Sequence, residues 1–236
     1  MKQAPQPSTK NLNASIKACL DNGERLIDET YWLESLKPLS SKLVLSLIAQ
    51  EEFAKAFLLF LVREGIVPWS KHILRAMNDH ACKHLIGVII EYIEPQWETM
   101  EELRSWIDRE AALEERLPID VWTAIDMLRY EKIGKWERSR WVWETPTDYD
   151  SNVEAIAKGK RDKIKQDALY VRIGLDGRVI STPNEAGSDL VDFEFERARS
   201  YRSLVSRLVD GAEVSPSTFE KIREAFRLLF RHPIGP

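Results

Sequence analysis

The stretch Leu43 to Val62, LVLSLIAQEEFAKAFLLFLV, limits what this 236-residue chain can become more than any other. Twenty mostly apolar residues are long enough to cross a bilayer, yet Glu51, Glu52 and Lys55 sit at the middle. At about 2.5–3.5 kcal/mol for each charge at a bilayer centre, these residues argue against a membrane span. A core helix is the alternative. Leu47, Ile48, Glu51, Lys55 and Leu58 recur at helical spacing, so Glu51 and Lys55 are predicted to share a stripe with core side chains. Charges placed there are costly unless they are paired or used. Two readings stay open: an i,i+4 Glu51 to Lys55 pair at the edge of the core, worth only about 0.2–0.5 kcal/mol when exposed, or a functional carboxylate.

A charged fraction of 31% and an apolar fraction of 44% are those of a globular chain able to bury a substantial core. Net charge is only −4, so no global field marks a nucleic-acid binder and any basic patch has to be local. Cys19 and Cys82 are too few for a disulfide framework, and the opening MKQAPQPSTKNLNAS lacks the apolar segment of a secretory signal. Both features fit a reduced, cytoplasmic setting. The eight tryptophans, with Trp136, Trp141 and Trp143 close together, suit a core or an interface, or stacking on bases.

Periodicity predicts an all-α fold. Residues 1–10 form a flexible arm, and 11–236 a single helical domain: a core bundle over about 11–143 and a C-terminal extension over about 153–236. Helices are expected at 11–36, stopped by Pro38; through the central stretch, capped by Ser40 or Ser41 and ended by Gly65; and from Trp69 to Tyr92. Shorter helices follow at 98–115 and 118–142, then a loop at 144–152 and a basic helical piece at 153–167. The run ALYVRIGLDGRVIST, about 168–182, carries Asp176-Gly177 between two β-prone segments and reads as one small β-hairpin. An isolated hairpin is marginal in water, so it is expected to pack on helices. Helices at 189–209 and 217–230 close the chain.

Histidine is the side chain best suited to proton transfer at neutral pH, and the chain has four: His72, His80, His84 and His232. His80 stands five residues after Arg75, the spacing of the active-site signature in the HEPN superfamily of helical ribonucleases. Arg227 and His232 repeat that spacing near the C-terminus, where positioning is poor. Three further elements strengthen the first match. AQEEFAKA (49–56), NDHACK (78–83) and KQDALYV (165–171), followed by Pro183, occur in one order, and together they resemble the AbiV family of abortive-infection proteins.

The resemblance implies a HEPN-like helical bundle and a bacterial phage-defence protein. Residue by residue, it carries Glu51, Glu52 and Lys55 onto the first element and Asp79, His80 and Lys83 onto the second. If HEPN chemistry applies, the reaction is metal-independent RNA cleavage. His80 would move the proton, Arg75 would hold the scissile phosphate, and Glu51 or Glu52 would orient either of them. Lys55, Asp79 and Lys83 would support. No cofactor and no metal are implied, and the partners are RNA and a second copy of the chain in a homodimer.

Two other classes stay open. One is a non-catalytic helical dimer that binds a phage or host component. The other is a metal enzyme, because His80 and His84 are four apart on one helical face, with Asp79 or Glu51 to add oxygen. Neither HExxH nor Glu-x-x-His occurs. The basic run Lys158 to Lys165, KGKRDKIK, reads as a solvated helix face or as a phosphate-backbone contact.

Overall fold

The structure is a computed structural model that describes residues 5–35, 37, 39–94, 117–137, 149–183, 186–211 and 216–229. Among these residues the fold is all-α apart from one two-stranded antiparallel sheet. No described helix is long and apolar enough to cross a membrane.

Helix α1 (Thr9–Leu33) starts where the Ser8 hydroxyl accepts from the Asn11 N–H at 3.2 Å. Leu12, Ile16, Cys19, Leu26 and Ile27 turn its apolar face onto α2 (Ser40–Arg63). Gly23 permits the close approach: a Cβ there would lie 2.6 Å from Phe53 Cε1. Helix α2 is buried nearly all round, which makes it the centre of the bundle. Its entry differs from expectation, since Leu39 occupies the cap position without a side-chain bond and Ser40 is already helical. Its exit follows a left-handed Gly65 at φ 70°, a conformation that favours glycine.

The helix expected from Trp69 to Tyr92 is two helices, α3 (Lys71–Asn78) and α4 (His80–Ile93). Asp79 breaks them. Its backbone is extended (φ −91°, ψ 121°), and its carboxylate accepts from the Cys82 N–H at 2.9 Å, so it caps α4 and leaves His80 at that helix's first position. The apolar period continues through both helices, which is why it concealed the break.

The helix expected at 98–115 lies outside the described residues. Helix α5 (Ile119–Asp126) opens the one expected at 118–142 and runs on into a π-helical stretch (Met127–Gly134) and a last turn (Lys135–Glu137). The remainder of that helix, with Trp141 and Trp143, is outside the described residues, as is most of the 144–152 loop. The basic piece is again two helices, α6 (Ser151–Ala157) and α7 (Lys160–Leu169), separated by Gly159 at φ 89°. Strands β1 (Arg172–Ile173) and β2 (Val179–Ser181) then form the hairpin, with Gly177 at φ 78° in its turn. The hairpin does not bury its apolar side chains on helices. Ile173, Leu175, Val179 and Ile180 are all exposed.

Helix α8 (Ser188–Asp210) lies along α2 on another side from α1, and α9 (Pro216–Leu229) packs on α4 and α5. One hydrophobic cluster therefore extends from Leu12 to Leu229 and includes Phe53, Phe57, Phe60, Tyr201 and Phe226. Helices α4 and α7 both reach α2 near its midpoint, where Glu51 sits.

Candidate active site

Glu51 is 2% exposed, on a helix whose other inward residues are mostly apolar. Helices α4 and α7 supply its partners. His80 Nδ1 lies 2.7 Å from Oε2, Lys83 Nζ lies 2.5 Å from the same oxygen, and Lys165 Nζ donates to Oε1. His84 Nε2 is 3.2 Å from Oε1 but off the line of a hydrogen bond. Lys165 Nζ also stands 3.2 Å from His80 Nδ1 and 3.3 Å from Asp162 at the rim. Four side chains from α4 and α7 thus converge on one carboxylate.

Burial by itself would push the Glu51 carboxyl up. The adjoining His84 ring and the Lys83 and Lys165 ammonium groups outweigh it and hold the carboxyl well below the usual carboxylate range. Burial pushes His84 down to about 4 against the pull of Glu51, so this ring is neutral at physiological pH. The two buried lysines are then the charges that balance Glu51. With the carboxylate ionised, His80 Nδ1 donates its hydrogen to Oε2. That tautomer leaves Nε2 as a proton acceptor, on a side chain 53% exposed.

The remaining expected site residues are placed as follows. Glu52 and Lys55 do not join this cluster: they pair with each other at 2.7 Å, an i,i+3 contact, whereas one of the two open readings had paired Lys55 with Glu51. Glu52 turns toward α1, where it influences the buried Cys19 thiol, a group pushed up to about 11 chiefly by burial. Adjacent residues on a helix point about a quarter-turn or more apart, so only one of the two glutamates could reach α4 and α7. Arg75 is exposed on α3, and its guanidinium lies over the Trp136 ring, 4.4 Å from the centroid. Among the described residues it forms no hydrogen bond or ion pair with Glu51, Glu52 or His80. Asp79 caps α4 and stands 3.8 Å from Lys132 Nζ, on the π-helical stretch. His232 and the side chain of Arg227 lie outside the described residues.

Sequence reasoning placed Lys165 at the start of the KQDALYV element and in the basic run, and not among the site residues. Its neighbours Lys158, Lys160 and Lys163 are exposed, whereas Arg161 and Lys165, four apart, are buried against α2. The basic run therefore divides between solvent and site. The available signal was electrostatic: a buried Glu51 demands a buried cation. Arg161 extends the polar contacts, donating to Gln50 Oε1 at 3.1 Å, while Gln50 bonds the Glu194 carboxylate at 2.8 Å. Among the described residues no group of three or more His, Cys, Asp or Glu is arranged to hold a metal ion. Lysines already occupy both oxygens of Glu51, the acid between His80 and His84.

The family model for AbiV, of the HEPN class, matches residues 11–201, more than half of the chain and all of the residues around Glu51. The chain belongs to the AbiV family. Membership points to abortive infection and phage defence. No curated protein and no solved structure matches this AbiV-family chain significantly.

Proposed function

We propose that this AbiV-family protein is a metal-independent endoribonuclease in phage defence, with His80 as its proton-transfer group. The observation that carries the reading is a half-exposed imidazole held through Nδ1 by a buried, ionised carboxylate. An Asp or Glu behind a histidine fixes the tautomer and stabilises the imidazolium formed when the other nitrogen takes a proton. His80 Nε2 removes the proton of an RNA 2′-hydroxyl, and the 2′-oxygen attacks the adjacent phosphorus. The bond to the 5′-oxygen breaks, the imidazolium returns the proton to that leaving oxygen, and a 2′,3′-cyclic phosphate remains. Arg75, a permanent fork of donors one helix turn before the Asp79 break, meets the phosphate from solvent. Glu51 and Lys165 hold the ring, and Lys83 keeps Glu51 ionised. A second copy of the chain belongs to this reading, because His80 and Arg75 are both exposed on the single chain.

Purified wild-type, His80→Ala and Arg75→Ala proteins assayed on RNA test the assignment. Loss of a positioned acid-base group costs about 10²–10⁴-fold, so His80→Ala should lose at least a hundredfold in rate and Arg75→Ala a comparable amount. Equal cleavage by all three proteins would sink it.

One observation favours a second reading, non-catalytic binding of a phage or host component: the hairpin holds Ile173, Leu175, Val179 and Ile180 in solvent. Intact RNA after incubation with pure wild type, combined with loss of phage protection when those four residues become serine, would select it.

A further inference from the structure

Between the π-helical stretch and α6 lies a cleft of about 540 Å³ that the proton-transfer chemistry leaves unused. Met127, Glu131, Lys132, Lys135, Tyr149 and Lys158 line it. A volume of 300–1,000 Å³ is typical of small-ligand sites, and a nucleotide falls within that range. The cleft is tied to the candidate active site at two points. Lys132, in its wall, reaches Asp79, the residue immediately before His80, at 3.8 Å. Trp136, one residue beyond the lining Lys135, carries the Arg75 guanidinium on its ring.

The π-helical stretch explains why one element serves both. Its hydrogen bonds step by five residues rather than four, which brings Met127 and Lys132 to one face, and the turn that follows carries Trp136. The lining combines three lysine ammonium groups and the carboxylates of Glu131 and Glu154 with apolar and aromatic surface. Lys135 and Lys158 are exposed and engaged by Glu131 and Glu154, flexible surface pairs that a phosphate can displace. Lys132 is mostly buried and points its charge toward the active-site side. Met127 and Tyr149 offer the surface on which a base can lie, and the Tyr149 hydroxyl is held by Asp126.

We propose that this cleft is a nucleotide-binding subsite flanking His80, taking the base and ribose of an RNA residue next to the scissile phosphate, with Lys132 on a phosphate oxygen. The subsite rests on the ribonuclease reading for its place in the reaction, but binding can be measured without turnover. The probes are adenosine 3′-monophosphate and uridine 3′-monophosphate, titrated by calorimetry into the full chain, with inorganic phosphate as comparator. Both nucleotides should bind at least tenfold tighter than phosphate. Lys132→Glu should weaken them at least tenfold, and Lys135→Glu, at a solvent-facing position where folding is undisturbed, at least threefold. Nucleotides binding no tighter than phosphate, or unaffected by both lysine variants, would overturn the subsite. Tight, lysine-dependent binding by a chain that cleaves no RNA would uphold the subsite and remove the ribonuclease reading.

Discussion

Glu51 and His84 show how two buried groups a few ångströms apart set the acid limit of the protein. His84 titrates near 6.5 when unfolded and is pushed by burial to about 4 in the folded chain. Its unfolded form therefore binds more protons between those values, and stability present above pH 6.5 is lost as the pH falls toward 4. The interval corresponds to roughly 3 kcal/mol. Glu51 acts with the same sign lower down. Its carboxyl is held below the usual range, so its contribution is complete above about pH 4.5 and is lost only in stronger acid. Urea denaturation of wild type from pH 7 to 4.5 should show a falling midpoint, and His84→Asn should flatten most of that slope; an unchanged slope would mean His84 is not the titrating group. The sequence displayed half of this site. Glu51 was recognisable because its spacing placed it among Leu47, Ile48 and Leu58, and His80 because of its distance from Arg75. Glu52 was indistinguishable from Glu51 in a linear reading, and only the rotation per residue separates them.

Short helices with sharp breaks do the positioning. Because Asp79 ends α3 and starts α4, His80 becomes the first residue of a helix rather than a mid-helix side chain, and its ring can lie over the end of α4 toward Glu51. Asp79→Ala should cost about 1 kcal/mol through the lost cap, seen as a lower urea midpoint, and should lower RNA cleavage by more than that destabilisation explains. A variant as active as wild type would show that the cap does not hold the imidazole. Asn78-Asp79 was a possible capping signal in the sequence, but Ile73, Met77, Leu85 and Ile89 keep helical spacing across it and read as one rod. Helix α7 was obscure for a related reason. Arg161 and Lys165 look like their solvent-facing neighbours until Gln50 and Glu51 are seen beneath them.

At the scale of the molecule, two sets of polar contacts join α7 to α2, and one of them continues through α8 to α4. Lys165 and Arg161 on α7 meet Glu51 and Gln50 on α2; Gln50 continues to Glu194 on α8, and Arg197 joins Glu194 to Glu91 on α4 at 2.9 Å each. Arg161→Met keeps the volume and removes the charge, stranding the Gln50 carbonyl. It should cost about 2–3 kcal/mol in chemical denaturation, with a loss under 0.5 kcal/mol counting against a structural role. The all-α class and most helices were legible because α1 and α8 carry plain 3.6-residue periodicity and α2 is an apolar run of helix length. Their mutual placement was not, since polar partners 100 or more residues apart leave no local trace.

That separation has a temporal consequence. Lys165 bonds a carboxylate 114 residues upstream, and the imidazole between them has its full set of neighbours only once both have left the ribosome. Shorter nascent chains hold Glu51 and His80 without the cation from α7, so the cluster is complete only after synthesis has passed that helix.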